Sequence, residues 1–371
     1  MGGIFHWISP KPLEFCNLQP KKEFEMKHTG WIWALAVGAL LLMGVAGVLV
    51  WMQRPMGPPL ALNVPVVEVQ PAVEDLALSQ QRQTGAAAPA AAQEKAQQPK
   101  GPCNAKGLQR LLVIGRASPI EAGMYGADAI RLAVVDYDRG RAAILALPVQ
   151  LWVDTPALAG IGVEETSLNL AYQKAWETAH GNPDDVRTQK ATQALAQTIL
   201  DNFAFVPDHY ITVEEAAFVR YVDTLGGINI TLAQPVDGTS EGYGVYAAGP
   251  QLLDGARTLN LTRLLHPSGQ PAPDTWGSLS RQDLVMKGLL ATALKPENWD
   301  KAPDLVKEIR QAITTDLSAS QALDLACMAQ AAGGQAALLV VEPEMVTYQD
   351  GHMLPDLQAI HQLIQQMEAG S

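Results

Sequence analysis

Residues 252–282, LLDGARTLNLTRLLHPSGQPAPDTWGSLSRQ, divide into a helix, a long irregular loop and the start of a second helix. Asp254 is placed to N-cap the first helix, with Leu259 and Arg263 one turn apart on one face. The loop from His266 to Leu279 carries three Pro and two Gly, so it is not a failed helix. A loop this long inside a compact domain is usually functional. Ser280 to Asp283 reads as a Ser-x-x-Asp capping box, which puts Arg281 and Gln282 in the first turn of the second helix. Free N–H groups and the positive dipole end make a helix start suited to an anion. Arg263 brings a fork of donors to the other side of the loop.

Working outward, short apolar runs predict strands over Leu111 to Ile114, Asp128 to Val135 and Arg141 to Leu147, the last two joined by the turn YDRG at 137–140. Thr188 to Phe203 has the spacing of an amphipathic helix, with Leu195, Ile199 and Phe203 near one face. Thr212 and Glu215 read as a capping box for a helix that runs to Leu225 and stops at Gly226 and Gly227. A strand follows over Ile228 to Leu232. Beyond Gln282 the pattern predicts helices over Leu284 to Leu294, Ala302 to Ile313 and Ser318 to Ala331, a strand over Ala336 to Val341, and a last helix opening at Pro355. Strands and helices alternate without a strict βαβ repeat. The expected fold is mixed α/β: a central β-sheet with helices on both faces.

The 371 residues, 48% hydrophobic and 17% charged, suffice for one large core with appendages. Trp31 to Met52 runs without a charge, long enough to span a bilayer and longer than the apolar core of a cleaved signal peptide. Trp31, Trp33 and Trp51 sit at its ends, and Lys11, Lys21, Lys22 and Lys27 precede it. This predicts a cytoplasmic tail over 1–30, a single transmembrane helix over 31–52 and everything later outside the cell membrane. Residues 53–107 read as a stalk, because TGAAAPAAAQEKAQQPKGP at 84–102 lacks residues that build a core. The folded ectodomain is then expected over 108–371.

From residue 108 onward there are 17 Lys and Arg against 31 Asp and Glu, the wrong sign for a nucleic-acid binder. Three cysteines without metal-ligand spacing, and seven histidines without HExxH, argue against a His/Cys metal site. GTSEG at 238–242 fits the G-x-S-x-G pattern, but no helix pattern follows it, so it reads as a surface loop. His266 reads as polar surface or as a phosphate contact.

The order LDG, Arg263, then Arg281 and Gln282 resembles the signature of the LytR-CpsA-Psr family. GADAI at 126–130, ALPVQ at 146–150, LNLAY at 168–172 and DHYITVEEAAFVRYVDTLGGI at 208–228 resemble further segments of it, covering residues 108 to 368. The resemblance implies a mixed α/β fold and a bacterial cell-envelope phosphotransferase. Such an enzyme moves a glycan from a polyprenyl-pyrophosphate carrier to peptidoglycan or another envelope polymer. It also implies Asp128 as a ligand of Mg2+ at the pyrophosphate, although an aspartate at a strand edge needs no metal. Arg263 and Gln282 match catalytic positions, and Arg281 matches beside them, in a role that orients the helix start.

The chain departs from the family's pattern at several cationic positions. Gly126, Val149, Ser167, Leu265 and Ser278 stand where the family has Arg or Lys, and Gln150 and Thr275 where it has Asp. Losing one preorganised donor typically costs about 2.7–4 kcal/mol of transition-state stabilisation. Two expectations follow: a divergent transferase with a reduced cation set, or a degenerate relative that binds polyprenyl lipid or envelope glycan without transfer.

Overall fold

In the computed structural model of the protein, residues 52–64, 103–117, 126–301, 313–332 and 336–370 are described. In chain order come β1 (Leu108–Arg116), β2 (Ala127–Asp136), β3 (Arg141–Leu147), β4 (Trp152–Asp154), β5 (Glu165–Ser167), α1 (Leu168–Thr178), α2 (Asp184–Phe203), β6 (His209–Glu214) and α3 (Glu215–Leu225). Then follow β7 (Ile228–Leu232), β8 (Val236–Asp237), β9 (Val245–Tyr246), β10 (Gly249–Leu253), α4 (Gly255–Arg263) and α5 (Thr275–Ala293). The last are β11 (Ile313–Thr315), α6 (Ala319–Ala331), β12 (Ala337–Val340), β13 (Val346–Gln349), β14 (His352–Pro355) and α7 (Leu357–Ala369).

Six strands form one mixed sheet in the order β11-β6-β1-β2-β3-β12. The β1–β2 and β2–β3 pairs are antiparallel, whereas β6 and β12 join in parallel. Leu112, Ile114, Ile130, Leu132 and Val134 point to one face, where α1, α2 and α7 bury them. Leu111, Ala133 and Val135 point to the other, where Leu317 and Met328 cover them. β2 is buried along nearly its whole length because both faces are covered. A smaller core sits under β7 and β10, with Val222, Leu261 and Val285 from α3, α4 and α5. The mixed α/β architecture with helices on both faces is the one expected.

The glycine of LDG has a packing reason. A Cβ on Gly255 would fall 2.3 Å from the carbonyl oxygen of Val219, so only glycine lets α4 cross α3 this closely. Asp223 Oδ1 accepts from Gly255 N–H at 2.7 Å, and Asp254 caps α4 through Arg257 N–H at 2.8 Å.

Several boundaries differ from the sequence reading. α5 starts at Thr275, not Ser280, so Arg281 and Gln282 lie in its second turn rather than its first. The cap is Asp274, whose carboxylate folds over Gly277 and accepts its N–H at 3.0 Å. Trp276 Nε1 donates to Val341 O at 2.9 Å and pins that turn. Thr212 is no cap: it lies inside β6, its hydroxyl 3.0 Å from that of Thr192. Pro355 ends β14, and Asp356 caps α7. The helix expected over Ala302 to Ile313 falls outside the described residues except for Ile313, which begins β11. The span Trp31 to Met52 also lies outside them, save Met52; among the described residues no helix is long and apolar enough to cross a membrane.

The stalk expected over 53–107 is corrected at both ends. Met56 N–H donates to Leu317 O at 3.0 Å, and Leu60 and Leu62 pack on the main core. Gln193 grips Ala61 through both ends of its amide, accepting N–H at 2.8 Å and donating to O at 2.7 Å. Gln197, one turn along α2, grips Asn63 in the same way. At the far end Cys103 forms a disulfide with Cys327 of α6, Cα to Cα 5.9 Å. These segments belong to the domain because apolar burial and amide pairs hold them there.

Candidate functional site

A cleft of about 360 Å³ opens where the C-terminal ends of β3 and α4 meet the side of α5. Asp128 enters it from the start of β2, and Val149 and Gln150 from the turn after β3. Asn169 comes from the start of α1, where Ser167 Oγ donates to its Oδ1 at 2.7 Å. Arg263 is the last residue of α4. Thr275, Ser278, Leu279 and Gln282 present one stripe of α5, at the i, i+3, i+4, i+7 spacing of a helix face. Glu241, Tyr243, Leu265 and His266 close the outer wall.

A second, apolar pocket of about 210 Å³ lies behind it, between the sheet and α3, α4 and α5. Val113, Val213, Phe218, Leu259, Val285 and Leu289 line it. Asp128, Thr262, Arg263 and Gln282 line both spaces and so form the partition between them.

Three of the four residues singled out in the sequence therefore come together at this partition. Arg263 Nε lies 3.3 Å from Glu215 Oε1 and 3.8 Å from Asp128 Oδ2, so its charge is already shared between two carboxylates. Gln282 is fixed at both ends: Nε2 donates to Thr262 O at 3.3 Å, and Oε1 accepts from Arg131 Nη2 at 3.2 Å. Arg281 is the exception. It is buried, ion-paired to Asp274 at 2.9 Å, and donates to the carbonyls of Leu261 and Leu264. It does not line the cleft; it ties the loop between α4 and α5 to the helix.

Five of the seven departures from the family's pattern gather in the same place: Val149, Gln150, Leu265, Thr275 and Ser278, spread over 130 positions of the chain, all line the cleft, whereas Gly126 and Ser167 do not. Neither Arg131 nor Arg257 lines this cleft in their place. Arg131 lies in β2 against the apolar pocket and pairs with Asp283 at 2.6 Å. Burial pulls its pKa down, and Asp283 opposes that. Arg257 stacks on Tyr246, its Cζ 4.8 Å from the ring centre.

The outer wall was not foreseen as a unit. GTSEG forms a short 3-10 turn over Thr239–Glu241, and Ser240 Oγ donates to His266 O, which fits a surface loop and not a nucleophile elbow. Glu241 joins it to His266, Nδ1 2.8 Å from Oε1. The two residues are 25 positions apart in segments with no shared pattern, so the sequence carried no signal for this contact.

Residues 76–363 match the sequence model of the LytR_cpsA_psr family. A stretch of 152 residues is 30% identical to the polyisoprenyl-teichoic acid–peptidoglycan teichoic acid transferase TagU of Bacillus licheniformis. That match takes in 39% of this chain and 46% of TagU, so it spans less than half of the relative's length. Among solved structures, gbs0355 of Streptococcus agalactiae superposes with a TM-score of 0.56 at 17% identity, over 71% of this chain and 88% of its own. The LytR-Csp2A-Psr enzyme of Actinomyces oris does so at 0.53 and 20%, over 70% and 89%. The two structures share the fold, and the match to the family's model runs through most of the sequence: the chain belongs to the LytR_cpsA_psr family.

Proposed function

We propose that this protein binds polyprenyl-phosphate- or pyrophosphate-linked envelope glycans at the outer side of the cell membrane, and that its capacity to transfer them is much reduced. One observation carries the reading: the polar cleft and the apolar pocket share Asp128, Thr262, Arg263 and Gln282. A phosphate at Arg263 has an apolar pocket on one side for the start of a polyprenyl tail, where burial adds about 0.8 kcal/mol per CH₂. It has a polar cleft on the other side for the glycan and for a peptidoglycan or other envelope acceptor. The Cys103–Cys327 disulfide supports a compartment outside the cytosol.

Mg2+ fits the residues present as an ion shared with substrate. Asp128 offers a carboxylate that is 37% exposed, and Mg2+ takes one or two carboxylates with phosphate oxygens and water. Among the described residues no cluster of three or more His, Cys, Asp or Glu would cage it. Bound there, it supplies positive charge to the phosphate oxygens. Arg263 would contact the same phosphate, and Gln282 would orient it.

The reduced transfer follows from the cleft wall. Transfer requires an acceptor hydroxyl to attack the phosphorus next to the glycan while the P–O bond to polyprenyl phosphate breaks. Charge then spreads over oxygens that need fixed donors. Val149, Leu265 and Ser278 supply no side-chain cation there. A second reading, a slow transferase, is favoured by the retention of Asp128, Arg263 and Gln282 at the partition. The deciding assay is Mg2+-dependent release of polyprenyl phosphate from a defined lipid-linked sugar, run beside a binding measurement. Binding with little release is expected. Rapid release would establish the transferase, and absence of binding would end the carrier-lipid reading.

A further inference from the structure

The carboxylate of Glu241 sits in a ring of donors. Oε1 accepts the N–H of His266 at 2.7 Å and lies 2.8 Å from its Nδ1, and the N–H of Leu265 reaches both oxygens at 3.3 and 3.4 Å. Two successive backbone N–H groups beside an imidazole nitrogen make a small anion-binding concavity. The chain fills it with its own side chain. The concavity faces the cleft, since Glu241, Leu265 and His266 all line it. Leu265 also stands where the family's pattern carries an arginine, so the donors converge where a cation is missing. The backbone of the Glu241 turn is held by Glu241 N–H to Gly238 O at 3.1 Å and Tyr243 N–H to Gly238 O at 2.9 Å, so displacement of the plug needs only the Glu241 side chain to rotate away.

We propose that Leu265 and His266 form a phosphate subsite for the lipid-linked substrate, and that Glu241 is its internal plug, displaced when the substrate phosphate arrives. This rests on the reading of the cleft given above and adds a second phosphate contact to it. Carboxylate and phosphate compete for the same donors, and a ligand shifts such an equilibrium only by its differential affinity. Free phosphate, with no other contacts, displaces Glu241 poorly. A substrate that also engages Arg263 and the apolar pocket displaces it well. If Glu241 served only as a latch, a neutral amide of the same shape would serve equally.

The test is calorimetric titration of the full chain with inorganic pyrophosphate, on wild type, Glu241→Gln and Glu241→Gln/His266→Ala. Thermal melts check that each variant folds. Glu241→Gln is expected to bind about tenfold tighter, because a competing charge is gone while the amide keeps the contact. The double variant should fall back to wild-type affinity or below. A folded Glu241→Gln that binds no tighter than wild type overturns the proposal. If that variant does not fold, the His266 ring resonance of wild type is followed instead: it should move as pyrophosphate saturates the protein, and an unmoved resonance overturns the proposal. Polyprenyl phosphate binding to wild type is measured separately. Its failure would remove the carrier-lipid reading, whereas a tenfold gain in Glu241→Gln would still support the phosphate subsite.

Discussion

Arg263 Nε lies 3.3 Å from Oε1 of Glu215, and the two side chains are only 12% and 9% exposed. Asp128, at 3.8 Å, is the outer partner. A buried charge that loses its partner typically costs about 3–5 kcal/mol. Arg263→Ala is therefore expected to lower stability as well as polyprenyl-phosphate binding. Glu215→Gln keeps the shape, frees part of the Arg263 charge and should tighten that binding. Melting curves and lipid-phosphate titrations on both variants check this. If both variants weaken binding alike, Arg263 acts only as packing.

The described segments before β1, residues 52–64 and 103–107, strap the domain and give a prediction about stability. A chain that begins at Lys106 lacks Cys103, Leu60 and Leu62, and leaves Gln193 and Gln197 without their backbone partners. Removing a native disulfide typically costs about 2–5 kcal/mol. The truncated protein should melt well below the full chain under oxidising conditions. Cys103→Ser/Cys327→Ser should recover part of that gap, since it keeps the strap. A truncated protein that melts with the full chain would show that neither element stabilises the fold.

How much of this was legible in the sequence depended on how local each cause was. β3 appears over the residues expected, because its apolar run and the glycine turn before it are neighbours in the chain. The Asp254 cap was legible for the same reason. The start of α5 was not, because a carboxylate folded over Gly277 and a bond from Trp276 to Val341, 65 residues away, decide it. The capping-box reading and the family's signature place Arg281 beside Gln282, yet neighbours on a helix point about 100° apart, and only Gln282 faces the cleft. Positions such as Val149 and Leu265 were found through the family's pattern, and the fold brings them together. The strap and the Glu241–His266 contact join distant segments with no periodicity to reveal them.

The opening of β6 carries a pH-dependent contact. His209 Nδ1 lies 3.2 Å from Oδ2 of Asp316, which is 2% exposed. Gln321 Nε2 faces its other nitrogen at 2.8 Å without a charge, and Asp208 is the next acidic neighbour. Asp316 raises the His209 pKa above its ordinary 6.5, against desolvation. Because the folded value is raised, the stabilisation is fully present below pH 6.5 and is lost as pH rises through the folded value. The denaturation midpoint should fall across that window, and His209→Gln should flatten the dependence. An unchanged slope in His209→Gln would place the titrating group elsewhere.

The last prediction restores charge to the cleft. Val149 and Leu265 are partly exposed in its wall, and although Val149 also packs on the main core, the cleft gives an arginine at each a way into open space. Ser278 differs: it is 8% exposed, and its Oγ donates to Thr262 O at 3.1 Å. An arginine there must displace its neighbours, and overpacking of this kind costs about 1–3 kcal/mol. Val149→Arg/Leu265→Arg is therefore expected to fold normally and to bind pyrophosphate more tightly than wild type, by about tenfold or more. Adding Ser278→Arg should lower the melting temperature before it improves binding. The same variants, assayed for Mg2+-dependent release of polyprenyl phosphate, separate two deficits. If the double variant binds tightly and releases product faster, missing cations limit the wild type. If it binds tightly and still releases none, the deficit lies in positioning the acceptor. Unchanged binding in a folded double variant would show that Val149 and Leu265 do not face the phosphate at all.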